Sequence, residues 1–502
     1  MKVCIKPECI RRYNLRVLLI PLLLLFTAMP AVGGADETPA LIPITLGACL
    51  EAALNRNIEI VISGKNLDIQ EKKINQSLGI YDPKLALSLT GNNEEKPAAS
   101  LLEGAGILIQ KQESVNLSME KLMKFGTRLS LGHQYNLSEN NSSYSLINPS
   151  HATYTYLSVT QPLLKGAGSR QYLSVKNALN SRDIFAYRNE LDKMALAVKV
   201  EKLYWDYYLA RESGKVKNNA LQAAMKFLEE NREKVRLGML PPFEETQAEA
   251  GVIDSEQDLM VAENNLSNLH DALLKEMNLS DSDYMRNARF LLRDAPDTAA
   301  AGISEEEAFD RALAGSPAVL QKKKEIEGSD IQIKSRKNDK LPSLDLKASM
   351  GVNSQNGLLG ESYRQIAGFD NKKWTVSLQF EYPLGNRSSY HLLRQAEEEK
   401  AISLLEMENL KKGLLNDIRN SIRNIRYSEK KISAAAKALE LAGINYEAEL
   451  QKYDLQKSTA YDVLNMRNRF FQAQTNDISA RIDLMKAVID YRYTIGTILK
   501  TR

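Results

Sequence analysis

Two stretches of roughly seventy residues, from Ser169 to Leu237 and from Asn386 to Leu455, contain no proline, and each as one helix is a rod of about 100 Å. The first carries Leu191, Met194, Ala195, Val198, Trp205, Tyr208 and Leu209 on a broad stripe; in the second Leu414, Ile418, Ile422 and Ile425 follow helical spacing. Few globular domains are that deep, so the chain is committed to an elongated architecture. A bend at Gly214 or Gly413 is the competing reading, since a helical glycine costs only ~1 kcal/mol relative to alanine.

The same plan runs through the chain twice. "ITLGACLEAALNRN" at 44–57 aligns without a gap with "ISEEEAFDRALAGS" at 303–316. Thr45 and Ser304 take matching N-cap positions, and Ser304 with Glu307 spells a capping box. The spacing predicts helices over 45–78 and 304–340, then a proline and an alternating strand in each half: strands within 83–161, and strands at 343–353 and 374–382. Trp374, Val376, Leu378, Phe380 and Tyr382 share one face of the last, with Thr375, Ser377, Gln379 and Glu381 opposite. That is the pattern of a membrane barrel strand, although an edge strand with one buried face alternates equally well. Long helices at 170–237 and 387–455 follow, then shorter ones at 243–280 and 460–499. Their lengths suggest that 243–280 stacks end to end on 304–340, and 460–499 on 45–78, each pair matching a long helix. Residues 281–302 read as a loop midway along the tube. The domain reading is therefore a first repeat over 36–302 and a second over 303–502.

Residues 1–35 read as a secretory signal peptide. Lys2, Lys6, Arg11, Arg12 and Arg16 precede the apolar "VLLIPLLLLFTAMPAV", and Gly33, Gly34 and Ala35 close it. This leader carries more than the whole-chain excess of +3, which leaves the rest near neutrality and gives no argument for nucleic-acid binding. Cys4 and Cys9 go with it, so only Cys49 remains and no internal disulfide is possible. Beyond Ala35 no apolar run approaches the ~20 residues of a spanning helix, so a membrane crossing has to be made by a β-barrel.

Twice a strand passes through a proline corner into a long helix, at "VTQPLLKGAGSR" and at "FEYPLGNRSS". Pro162 and Pro383 lack the amide that a strand ladder or a helix would use, so they are expected to stop the ladder. Gly166, with Gly168, and Gly385 permit the change of direction.

In order and spacing the chain resembles the TolC-like outer-membrane efflux protein family across essentially its whole mature length. The signal peptide, the two openings quoted above, the "QPLLKG" and "YPLG" corners, and the hairpins at "RLGMLPPFEETQAEA" and "YDLQKSTAYDVLNMR" carry the resemblance. It implies a mainly helical chain with membrane β-structure: a homotrimer in which each protomer gives four strands to a shared twelve-stranded outer-membrane barrel, continued by a long periplasmic coiled-coil tunnel. "ESVNLSMEKLMKFGTRLSLGHQYNLS" departs from the four-strand pattern and looks like an extra hairpin turning at Lys124–Thr127, placed either in the barrel or above it.

The resemblance also assigns roles at the hairpin turns, which in the family form the periplasmic entrance where an adaptor docks. Asp462 matches one acidic ring position, and Asn465 falls where the second would be. Glu244 and Tyr453 match an acid and a tyrosine that hold the closed state. Ser458 stands where that network has a base, with Lys457 adjacent, and a neutral hydroxyl cannot supply a charge-assisted fork. Gly238, Gln456 and Lys457 are the candidates for adaptor contact. The bland reading of Asp462 and Glu244 is that they are first-turn acids, worth ~0.3–1 kcal/mol each beside a helix dipole.

The implied function is a passive exit duct of an efflux or type I secretion assembly, partnered by an adaptor, an inner-membrane pump and outer-membrane lipid, with no cofactor. The competing class is an exported coiled-coil protein without a pore. An enzyme is disfavoured: His133, His151, His270 and His391 are scattered without ligand spacing, and no phosphate-cradling glycine loop appears.

Overall fold

The computed structural model describes residues 41–100, 104–280, 282, 285, 287–296 and 304–500. The signal-peptide reading of 1–35 lies outside the described residues. Two strands, β1 (Leu41–Ile44) and β6 (Arg289–Leu292), pair in parallel. A second sheet runs β2 (Lys84–Pro97), β3 (Ile107–Leu122), β4 (Arg128–Asn140), β5 (Ser150–Pro162), β7 (Ser343–Asn356), β8 (Lys372–Glu381), antiparallel throughout. The helices are α1 (Leu46–Arg56), α2 (Ile58–Leu78), α3 (Leu173–Arg236), α4 (Pro242–Glu276), α5 (Glu305–Gly315), α6 (Pro317–Asp339), α7 (Leu359–Gly368), α8 (Arg387–Asp454) and α9 (Ala460–Thr494).

The long helices form as read, 64 residues in α3 and 68 in α8, and neither Gly214 nor Gly413 breaks them. The helices expected over 45–78 and 304–340 each divide in two. Asn57 ends α1 in an extended conformation and caps α2 by accepting the Glu59 amide at 2.9 Å. Ser316 is likewise extended, without a side-chain cap bond, ahead of Pro317, whose ring excludes the preceding residue from helix. Thr45 caps α1 by accepting the Ala48 amide, but the Ser304 hydroxyl makes no cap bond, so the capping box is not realised.

Stacking also differs from the length-based expectation. Asn57 Nδ2 donates to the Glu276 carbonyl at 3.0 Å, which seats α2 on the end of α4. Gly496, at φ +73°, ends α9 so close to α6 that a Cβ there would lie 3.2 Å from Ser316 Cα. The columns are therefore α4 with α2 and α9 with α6, the reverse of the pairing read from length. Helix α3 packs against both columns, and α8 packs against α9 and α6, so four columns stand in a row: α2/α4, α3, α6/α9, α8. Cross-column ion pairs fix the order, among them Lys322–Glu406, Lys202–Asp490 and Lys431–Asp483.

The main core lies where the columns are jointed. Cys49, Leu50, Tyr204, Trp205, Tyr207, Leu273, Met277 and Phe290 are buried there. Asp294 accepts the Leu46 amide at 2.6 Å and the Tyr204 hydroxyl at 2.8 Å, tying the 281–302 segment to the start of α1. That segment, read as loop, thus contains a strand and a cap. Burial, and then the Asp294 charge, push the Cys49 thiol up to about 12, so this cysteine is an inert core residue.

The "ESVNLSMEKLMKFGTRLSLGHQYNLS" hairpin supplies β3 and β4 as full members of the sheet, which makes six strands rather than four. One face bears Leu87, Leu117, Leu131, Leu157, Met350 and Val376; the other bears Ser88, Asn116, Ser130, Ser158, Ser349 and Ser377. Toward the end distant from the long helices the first face turns polar and α7, unread in the sequence, folds over it. Ser362 lies 3.0 Å from Thr153 and 2.9 Å from Ser354, and Tyr363 stacks on His133.

At the corners Gly166 (φ +86°) and Gly385 (φ +90°) hold left-handed conformations that a side chain would strain. Pro383 lies two residues past the end of β8 at Glu381, beyond the ladder as read. Pro162 does not stop the ladder to β7, because Leu163 still donates to Leu344 O and Lys165 to Pro342 O. Its missing amide falls on the β4 side, where β4 has already turned.

Replacing Asn57 with alanine removes both a cap and the bond to Glu276. The expected loss is about 1–2 kcal/mol, read as faster amide exchange over 58–61 and 273–277 while α3 stays protected.

Candidate channel gate at the hairpin tips

The α3–α4 and α8–α9 hairpins end in the same kind of turn. In the first, Gly238 (φ +70°) donates to Val235 O at 2.9 Å and Met239 to Lys234 O at 2.9 Å. In the second, Gln456 (φ +56°) donates to Tyr453 O at 2.9 Å and Lys457 to Lys452 O at 2.8 Å. Both match the paired closing bonds of a Schellman cap, with glycine at the left-handed position in one and a strained glutamine in the other. The Gln456 side chain reaches across to Met239 O, which ties turn to turn. Lys457 is exposed beside it.

Behind the turns a small apolar cluster of Phe227, Leu228, Ala248, Val252, Ala460 and Val463 holds the hairpins together. Glu244 and Tyr453 are brought into this cluster, 8% and 3% exposed. Glu244 accepts the Ala460 amide at 2.7 Å, an unpaired donor of the first turn of α9. Tyr453 donates to Asn231 Oδ1 at 2.7 Å. Burial, and next the Glu244 charge, raise the phenol further, so it remains a donor. Lys234 lies over the same ring at 5.4 Å while pairing with Asp454 at 2.9 Å.

This explains how Glu244 is satisfied without a base. The N-terminal amide of α9 takes the place of a cation, with the helix dipole behind it. Ser458 takes no part: its hydroxyl donates back to Glu449, which also holds Lys452 at 3.0 Å. Asp462 lies in the first turn of α9 and its carboxylate accepts the Thr459 hydroxyl at 2.8 Å, while Thr459 accepts the Asp462 amide. It is therefore a capping residue whatever else it does. Asn465 lines a cavity with Asp254 and Arg467.

Two residues were missed in the sequence. Asn231 continues the Ala224, Phe227, Leu228 stripe of α3, and a polar residue on an apolar stripe was the available signal. Arg467 is only 2% exposed, and nothing in its local sequence marks it as buried. Burial lowers its guanidinium from the usual arginine range.

Residues 308–497 match the model of the outer membrane efflux protein family. The outer membrane protein TolC of Vibrio cholerae serotype O1 is 23% identical over 311 residues, 61% of this chain and 68% of that one. The TolC of Escherichia coli strain K12 is 22% identical over 396 residues, 77% of each chain. Among solved structures the fold is similar to the Campylobacter jejuni CmeC outer membrane channel, with TM-score 0.65, 15% identity and 94% of each chain covered. It is also similar to VceC of Vibrio cholerae, with TM-score 0.65, 13% identity, and 90% of this chain and 96% of that one covered. The fold is thus similar to that of solved outer-membrane channel protomers. In its family match, its relatives and its fold the chain is similar to the TolC-like outer membrane efflux proteins.

Removing the Glu244 carboxylate strands a buried amide, and Tyr453→Phe strands Asn231, at about 1–3 kcal/mol each. Both Glu244→Ala and Tyr453→Phe are expected to raise single-channel conductance in planar bilayers, with Glu244→Gln changing it less. Unchanged conductance in both would remove these residues from the gate.

Proposed function

We propose that this outer-membrane efflux channel works as one wedge of a closed homotrimeric duct, whose sheets form the membrane barrel and whose helices form the periplasmic tunnel. The observation that carries this reading is the character of the wedge's two edges. On one side, beneath the edge strand β2, α2 and α4 leave Ile58, Ile62, Met260 and Val261 exposed. On the other, beneath the edge strand β8, α8 exposes Ile402, Leu405, Tyr427 and Ile444. The edges differ from each other, so a copy mates head to tail, and repetition gives a ring or an open filament. Closure at three comes from the family.

The sheet has the geometry of a barrel wall. Following the register from Leu87, the middle of the apolar stretch on β2, leads through Leu117, His133, Thr155 and Val352 to Lys372. The middle of the β8 stretch lies about five residues further along, so the apolar belt shifts by ~17 Å over ~24 Å of sheet, a strand tilt of about 35°. Six strands at that tilt span an arc of ~35 Å, and four helical columns span ~32–40 Å. Sheet and helices thus fit one wedge, and three wedges supply eighteen strands in place of the twelve that the family implies. The apolar face meets lipid and the hydroxyl- and amide-rich face lines the passage. A poreless coiled-coil protein has no use for such a sheet.

At the opposite end, Leu237, Met239, Phe243, Leu455 and Tyr461 are exposed around Gly238, Gln456 and Lys457. This is the surface offered to a periplasmic adaptor, and the energy for transport comes from an inner-membrane pump. Asp462, repeated by the threefold axis, is the candidate acidic ring at the entrance.

The test is purification from the outer-membrane fraction followed by planar-bilayer conductance of the solubilised oligomer. Cation-selective steps are expected, with Asp462→Asn lowering the selectivity. Leu378→Arg on the lipid face is expected to reduce recovery from the outer membrane, as an arginine there costs about 2–4 kcal/mol, whereas Ser377→Arg is tolerated. A protein without conductance, recovered outside the outer membrane, defeats the proposal.

A further inference from the structure

Above the tip cluster the two hairpins cross where α4 meets α9. Gly251 lies at the crossing, and a Cβ there would come within 2.7 Å of a Leu464 methyl. A glycine inside a helix costs about 1 kcal/mol, and its use here is the close approach of Leu464. Beside this contact Arg467 Nη2 donates to Gly251 O at 3.4 Å, Ser255 Oγ at 3.2 Å and Asn468 Oδ1 at 3.2 Å. These acceptors are all neutral. Nε and Nη1 are shielded from solvent and have no hydrogen-bond partner, and Gln247 Oε1 is likewise unmet. Among the described residues no carboxylate pairs with this guanidinium, although Asp254 lines the same cavity of about 370 Å³.

A buried cation held by neutral acceptors opposes the packing that buries it, because water or a carboxylate would serve it better. Leucine on glycine closes the crossing, and the guanidinium pushes it open. We propose that the Gly251–Leu464–Arg467 crossing is the bistable element of this channel's gate: Leu464 seated on Gly251 holds it shut, and Arg467, released to solvent and to Asp254, favours the open arrangement. Arg467 is thus a positioning residue that sets the resting balance, in a chain whose tip lacks the base expected at Ser458. The inference rests on the channel reading above.

The sign of the effect at neighbouring residues tests it. Gly251→Val unseats Leu464, and Leu464→Ala empties the same contact. Both are expected to raise amide exchange over 242–250 and 456–466 in the purified oligomer, and to raise single-channel conductance severalfold. Arg467→Met keeps the volume and removes the buried charge, and it is expected to slow exchange over the same segments and lower conductance. Adding Leu464→Ala to Gly251→Val makes room for the valine and is expected to return both readouts toward the parent. Recovery of each variant as the parent's oligomer controls for folding. Arg467→Met acting in the same direction as Gly251→Val overturns the proposal, as does Gly251→Val leaving exchange unchanged. Opposite shifts in exchange from an oligomer that never conducts would keep the crossing and discard the channel reading instead.

Discussion

The rest of the structure depends on two edges that are apolar, unlike each other, and unpartnered at every level of the protomer. The sheet ends in β2 and β8, both exposed along their whole length. The helical row ends in α2/α4 and α8, whose outer faces carry isoleucine, leucine, methionine and tyrosine. Because α2 runs into β2 and β8 runs into α8, each sheet edge is bonded to the helical edge beneath it. A neighbour that satisfies one must satisfy the other. An open six-stranded sheet invites uncontrolled pairing, and closure by copies of itself removes its edges.

Within the wedge, the joint of the columns and the hairpin tips are tied differently. The jointed middle is tied by Asp294, by the Asn57–Glu276 bond and by the close seat of Gly496 on Ser316, with a core of buried aromatic and aliphatic residues. The tips have a smaller cluster and half-met polar groups: Asn231 Nδ2, Gln247 Oε1 and two nitrogens of Arg467 lack partners. Polar groups left unmet in a buried site favour rearrangement, and segments that move are drawn from the least stable part of a fold. Unmet buried groups also occur away from the tips, at Tyr81, Asn180, Arg182, Asn189 and His270, whereas those of Arg467 lie beside the Gly251–Leu464 contact.

How much of this could be read in advance followed from the length over which each signal is averaged. The two long helices were plain, because a stripe without proline over some seventy residues outweighs single glycines such as Gly214. The breaks at Asn57 and Ser316 were passed over although both residues are helix starters and Pro317 marks one of them. The stacking order was misread because both pairings give nearly equal total lengths. Strands of four residues, β1 and β6, are too short for alternation to register, and α7 lies between two strong strands. At the tip the family pattern led to Glu244 and Tyr453. Their actual partners, the Ala460 amide and Asn231, depend on how two hairpins meet, which no local pattern encodes.

The central claim is that unlike edges of identical chains meet. Ile62 and Ile402 lie on opposite edges, each roughly 23 Å from the sheet-facing end of its helix at 1.5 Å per residue. The most direct measurement is oxidative cross-linking of the Ile62→Cys, Ile402→Cys double variant in outer membranes, since Cys49, the native cysteine among the described residues, is buried. The expected result is a covalent ladder that stops at three chains, with neither single variant cross-linking to itself. A ladder running beyond three, or cross-linking by one single variant alone, would contradict the account.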